Sequence, residues 1–291
     1  MPTFVLLFPV IPIIVLLFFL APYPSKWAVW CAPFFPYVIL VLVFKHQIDW
    51  WWYSKFPPTI DEDAQKFLEE YFPYYRNLSA ENRANFGARL RMFNFDKEYI
   101  SKELETIPGD VRLLTAASAI QVTFGIKGGL LRHWGQIVLY RQPFHTPSRQ
   151  YFHTGEVHYE DGCIILAVDD MIRGITKQQS NYNIAIHHMA LAFQYEHKIK
   201  DKDFFFFDAP AGEDPEEAFL KKMAVVRGWD GLPELPYKQL ETDEIFGICV
   251  EHFFATPVKF KTYLPKIYQG LKDILNQDPA EMTDPVVHQI L

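Results

Sequence analysis

Residues 2–21, PTFVLLFPVIPIIVLLFFLA, and 27–44, WAVWCAPFFPYVILVLVF, are apolar on every side and carry no charge. At ~1.5 Å rise per residue, about 20 residues of helix match the ~30 Å hydrocarbon layer of a bilayer, so the first segment is long enough to cross and the second is near the minimum. Pro9, Pro12, Pro33 and Pro36 interrupt these segments. Proline breaks helices in water but is tolerated in lipid where neighbours re-satisfy the freed carbonyls. The connector from Pro22 to Lys26 is tight, so the pattern predicts an N-terminal two-helix transmembrane hairpin. A cleaved signal peptide fits residues 1–21 less well, because the basic n-region is missing and the apolar run exceeds an ordinary h-region. Two buried core helices fit less well again, because a globular helix usually confines its apolar residues to one stripe.

The pattern then changes. Trp50, Trp51, Trp52 and Tyr53 form an aromatic junction suited to the headgroup layer; an aromatic patch of the following domain is the other reading. Residues 61–76 and 80–94 are charged and amphipathic and predict helices, and 109–126 predicts a buried one with Asp110 as its cap. The β-rich runs 136–140, QIVLY, and 163–167, CIILA, predict strands, with Pro143, Pro147 and Gly155 marking loops between them. Helices are predicted over 180–198, 214–227, 242–256 and 262–275, the last two separated by Pro257. Gly231, Pro233 and Pro236 mark a loop over 229–237, and Phe204 to Phe207 reads as core. The expected organisation is a membrane hairpin and aromatic junction over 1–55, then one α+β, mainly helical domain over 56–291.

Charge changes the picture in two ways. The net charge is −7 with one short basic run, which argues against nucleic acid as a partner, since phosphate neutralisation needs a basic face. Lys45, His46 and Lys55 flank the exit of the second apolar segment, against Lys26 alone in the connector. That bias predicts a multi-pass protein of the cell inner (plasma) membrane with its large domain in the cytoplasm. Cys31, Cys163 and Cys249 are scattered without a Cys-x-x-Cys pair, which supports neither a zinc knuckle nor a disulfide framework and fits a reducing compartment.

The 180–198 segment contains NYNIAIHHMALAFQ. Tyr182, Ile186, Met189 and Phe193 recur at helical spacing as an apolar stripe, with His187 beside it. Zinc peptidases that carry His-Glu-x-x-His on a helix place two imidazoles one turn apart on one face, and the intervening Glu activates the metal-bound water. The corresponding residues are His187, His188, Met189, Ala190 and Leu191. Adjacent helical residues point roughly 100° apart, so His187 and His188 are poorly placed to share one metal. His197 follows ten residues after His187, but without the Gly turn that a third ligand at such a spacing requires. Further on, DEIFGICVEHFFATPV places Glu244 and Glu251 two turns apart on one helix face, with Ile245, Phe246, Cys249, Val250 and Phe253 as the buried face.

These segments, together with AASAIQVTFG, YRQPF, GEVHYEDGCIILAVDDM and the TPVKFKTYLPKIYQGLKDILNQDP run, resemble the Mlc titration factor A family of zinc-dependent, glucose-regulated metallopeptidases. The resemblance covers about residues 65–280. It implies a zincin-like metallopeptidase domain with zinc as the family's cofactor, His187 matching the first ligand and Glu251 the third. His188 stands where the catalytic Glu belongs and Leu191 where the second His ligand belongs. A catalytic zinc needs three protein ligands and an open position; two remain. His187 beside Glu251 is then expected as an ion-pair partner, with Leu191 filling the second ligand's space. The expected function is a membrane-anchored, inactive peptidase-like domain that binds a protein, with a transcriptional regulator as the partner the resemblance suggests. An active peptidase with a rearranged site, drawing on His187, His188, Glu244 and Glu251, is one alternative. A structural membrane protein is another.

Overall fold

The computed structural model describes residues 34–103, 105–147, 149–176, 183–200, 212–227 and 244–281, and the chain divides into two compact units, Met1–Pro58 and Thr59–Leu291. In the first unit, helix α1 runs over Phe34–Val43 and α2 over Lys45–Lys55. They are joined at Phe44, whose backbone leaves the helical range (φ −92, ψ 12). Helix α1 carries no charge and exposes Tyr37, Ile39, Leu40, Leu42 and Val43. The Lys45 ammonium donates to Asp49 at 2.9 Å, one turn on. Among the described residues no helix is long and apolar enough to cross a membrane. The apolar segment 2–21 and residues 27–33 of the second segment lie outside the described residues, as do Phe204 to Phe207 and the 229–237 loop.

The second unit opens with α3 (Glu62–Tyr71), α4 (Pro73–Arg76) and α5 (Ala80–Asp96). Asp61 caps α3 by accepting from the Ala64 N–H at 2.8 Å. Pro73 lacks the N–H that would continue the helix, so the single helix expected over 61–76 divides there. Strand β1 (Glu98–Ser101) and helix α6 (Gly109–Thr123) follow. Pro108, not Asp110, occupies the cap of α6; Asp110 lies in the first turn, where a carboxylate complements the helix dipole.

Strands β2 (Gln136–Tyr140), β3 (Phe144–Thr146), β4 (Arg149–His153), β5 (Gly155–His158) and β6 (Cys163–Ala167) come next. One sheet has the order β1-β2-β6-β5, with β5 antiparallel on β6 and the other pairs parallel; β3 and β4 form a separate antiparallel ribbon. The stretch between β2 and β6 is therefore largely strand rather than the loop that its prolines and Gly155 suggest. Pro147 sits at the ribbon's turn, where a missing N–H costs no ladder bond. The central strands β2 and β6 are near-continuous apolar runs, as parallel strands covered on both faces require.

Helix α7 (Val168–Thr176) leads to α8 (Ile184–His197), which the structure buries without a break from Ile184 to Gln194. It is therefore a core helix rather than the carrier of one apolar stripe; Tyr182 lies outside the described residues. Helix α8 packs against α6, β5, β6 and the later helix α10 (Ile245–Ala255), and the fully buried Trp134 indole N–H donates to the Ala192 carbonyl at 3.0 Å. Helix α9 (Pro215–Arg227) precedes α10; α11 (Pro257–Tyr263) and α12 (Pro265–Leu275) end the core, with Pro265 dividing the helix expected over 262–275. The buried Arg89 guanidinium donates to the carbonyls of Phe124 (2.6 Å), Thr123 (2.8 Å) and Gly129 (2.7 Å). It thereby ties the C-terminal end of α6 to the turn that follows it, while burial pushes it down to about 10. The described part of the unit is a mainly helical α+β domain.

Candidate functional site

Asn183 builds the entrance to α8. Its side-chain oxygen accepts from the Ile186 N–H at 3.2 Å, which is an N-cap bond. Its own backbone N–H donates to Glu251 Oε1 at 2.7 Å. The other carboxylate oxygen of Glu251 faces His187 Nδ1 at 3.4 Å, longer than an ordinary N–H···O bond. A carboxylate on α10, only 1% exposed, is thus held at the N-terminal end of α8, where the helix dipole favours negative charge.

His187 and His188 are both 4% exposed, with ring centroids 4.9 Å apart and planes tilted by 56°, and each meets a different neighbour. His187 lies against α10 at Gly247, where an added Cβ would sit 2.9 Å from ring atoms Cε1 and Nδ1. His188 lies against the sheet at Gly155, where an added Cβ would sit 2.4 Å from its Cε1. The His188 Nδ1 proton goes to the Ile184 carbonyl at 2.9 Å, one turn back. Two glycines therefore make room for two adjacent buried imidazoles. The sequence pattern took Gly155 only as a loop marker and did not single out Gly247, because neither needs a positive φ and both matter through a close approach from another element.

Leu191, one turn after His187, is buried at 6% exposure and offers no lone pair. Glu244 occupies the N-cap position of α10 and is half-buried. His197 ends α8, donating from Nδ1 to the Phe193 carbonyl at 3.0 Å and stacking on the Phe193 ring. His252, fully buried next to Glu251, has Nδ1 3.3 Å from Thr256 Oγ1. Beside Glu251 lies a cavity of about 440 Å³ whose lining includes Tyr74, Arg76, Asn183, Ile186 and Phe254. Leu191 does not line it, so its burial does not close this space.

The arrangement can hold an ion pair but does not fit a catalytic zinc. Such a site needs three ligands around one point; His188 packs at Gly155 with Nδ1 on the Ile184 carbonyl and Leu191 cannot ligate, which leaves His187 and Glu251. Among the described residues no group of three or more His, Cys, Asp and Glu side chains is arranged to hold a metal ion. Cys163 and Cys249 are free and buried.

Residues 49–201 match the model of a family described as glucose-regulated metallo-peptidase M90. An uncharacterized protein of Synechocystis sp. is 22% identical over 158 residues, which cover 50% of this chain. The match spans 58% of that relative's length. The matched family span contains His187, His188 and Leu191 and ends before Glu251. With the match extending over more than half of the sequence, the chain belongs to the glucose-regulated metallo-peptidase M90 family.

Proposed function

We propose that this chain is a membrane-anchored member of a metallopeptidase family whose metal centre has been dismantled, and that it works by binding a protein partner. The observation that carries the reading is Leu191, buried at the position of the family's second ligand and one turn from a His187–Glu251 contact. An alkyl side chain there supplies packing where the chemistry needs a lone pair. With His188 at the general-base position and turned onto Gly155, both the ligand and the base are missing together. The charge-free segments of the first 44 residues support attachment to a bilayer, and the excess of cations after the second segment supports a cytoplasmic domain. A transcriptional regulator as partner rests on family resemblance alone.

Elemental analysis of the purified native chain tests this directly. The expected result is far less than one zinc per chain and no peptide cleavage. Tight stoichiometric zinc with chelator-sensitive peptidase activity would overturn it. That second outcome is the rearranged-peptidase reading, which the cavity next to Glu251 favours. Co-purification from solubilised membranes separates a partner-binding role from a structural one.

A further inference from the structure

The β3–β4 ribbon has a fixed inner face. Phe144 and His153 stand opposite each other across the pair, and both are buried. The Phe144 ring stacks on Tyr140 with centroids 4.4 Å apart. The Thr146 hydroxyl donates to Glu156 Oε2 at 2.7 Å, and His153 Nε2 lies 3.1 Å from the same oxygen. The two side chains before His153 are placed differently. Tyr151 is 58% exposed and Phe152 is 72% exposed, the highest value for any large apolar side chain among the described residues. Successive residues of a strand point to opposite faces. Two consecutive exposed aromatics therefore mean that β4 is uncovered on both sides at this point, and the ribbon stands out from the body of the domain. The exposed His145 of β3 meets the Phe152 ring edge-on, with centroids 5.5 Å apart.

Charge is just as uneven along this part of the chain. No Asp or Glu occurs between Asp110 and Glu156, a stretch that carries Arg112, Lys127, Arg132, Arg141 and Arg149 in a chain whose net charge is −7. Arg141 precedes β3 and Arg149 opens β4. The carboxylates beside the ribbon lie beneath it or at its base. Glu156 sits under the inner face and is 8% exposed. Glu103 accepts from the Arg141 backbone N–H at 3.0 Å, where the chain leaves β2. Asp169, in the first turn of α7, donates its own backbone N–H to the Arg141 carbonyl at 3.1 Å. The projecting part of the ribbon thus combines exposed aromatic rings with a segment of positive charge.

We propose that the β3–β4 ribbon is a membrane-contact element, which seats Tyr151 and Phe152 in the headgroup layer of an anionic bilayer while the positive charge of its segment draws it to lipid phosphates. Aromatic rings suit that layer, and each cation close to an anionic leaflet strengthens binding about fivefold. A bilayer interface surrounds what enters it and so covers both faces of a projecting strand, whereas a flat protein surface covers one. The depth is limited, because the outer edges of a two-stranded ribbon carry backbone N–H and C=O groups that cannot be left in hydrocarbon. The proposal rests on the anchoring reading, which keeps a bilayer within reach, and it adds a second contact made by the large domain itself. Nothing in it depends on a metal at α8.

Photolabelling of the full chain in vesicles tests it. The chain is reconstituted into phosphatidylcholine alone or mixed with phosphatidylserine, each doped with a lipid that carries a diazirine on its headgroup, and adducts are mapped by mass spectrometry. In the mixed vesicles adducts are expected on residues 141–153 as well as in 1–44, and ribbon labelling should fall about fivefold or more without phosphatidylserine. Tyr151 and Phe152 are exposed, so the Tyr151→Ser, Phe152→Ser variant should keep its fold. It should lose adducts on the rest of the ribbon and keep those in 1–44. Adducts in 1–44 with none on the ribbon would overturn the proposal, leave anchoring intact and assign the exposed rings to a protein partner. Ribbon labelling of equal strength in both kinds of vesicle, or undiminished in the double variant, would overturn it as well. Adducts in neither region would end the anchoring reading and this proposal with it.

Discussion

At the scale of single residues, the proposed loss of the metal centre turns on two side chains, His188 and Leu191. His187 and Glu251 already face each other at 3.4 Å across two helices. Restoring the missing chemistry should therefore need few changes. Leu191→His with His188→Glu is expected to take up zinc at about one ion per chain, with metal–ligand distances of ~2.0–2.2 Å by X-ray absorption. Leu191→His alone supplies the ligand without the base and should bind metal without cleaving peptides. His188→Glu alone should do neither. If the double variant stays metal-free while folded, the alignment of α8 with the family's ligand helix is wrong.

At the scale of elements, the contacts of α8 with α10 and with β5 each hinge on a glycine. Gly247→Ala would place a methyl 2.9 Å from the His187 ring, and overpacking of this kind typically costs about 1–3 kcal/mol. The cost should largely vanish in a Gly247→Ala, His187→Ala background, because the two residues share one space and their effects are not additive. Urea denaturation of the four chains of this cycle measures the coupling; simple additivity would place the His187 ring elsewhere.

The turn after α12 offers a pH test. Asp278 accepts from Tyr268 at 2.5 Å and from Lys272 at 2.6 Å. Burial pushes its carboxyl up, but the Lys272 and Tyr268 hydrogen bonds outweigh that and hold it below the usual carboxylate range. A carboxyl lowered by folding contributes stability that is present above its unfolded value and is lost as the pH falls through the folded one. Asp278→Asn should therefore be less stable than the native chain at neutral pH and show a shallower loss on acidification.

At the scale of the whole molecule, the anchoring proposal rests on the N-terminal residues. Residues 1–44 carry one charged side chain, Lys26, and α1 exposes five large apolar side chains. The full chain is expected to remain with membranes through an alkaline carbonate wash, and a chain starting near Phe56 to appear in the aqueous fraction. Recovery of the full chain in the wash would leave those apolar surfaces without a bilayer to cover them and would end the anchoring proposal. A reporter fused after Leu291 should behave as cytoplasmic; one active only outside the cytoplasm would contradict the charge bias at Lys45 and Lys55.

Some of this was legible in the sequence because it depends on neighbours along the chain. Gln136–Tyr140 and Cys163–Ala167 are apolar, β-branched runs, and their strand character follows from local pattern. The helix expected over 214–227 is observed over Pro215–Arg227, for the same local reason. Other features arise only when distant segments meet. Strands β1, β3, β4 and β5 are short and carry polar residues, and the sheet register that makes them strands is invisible to periodicity. That α8 is buried all round, rather than along a stripe, follows from its position among α6, α10 and the sheet. The nearness of His187 and Glu251, 64 residues apart, came from family resemblance and not from spacing. The burial of Leu191 marks the limit most clearly. Sequence alone shows that it cannot ligate, because an alkyl group has no lone pair. Only the packing of one helix against its neighbours decides that the two imidazoles before it each meet a different glycine, His187 at Gly247 and His188 at Gly155.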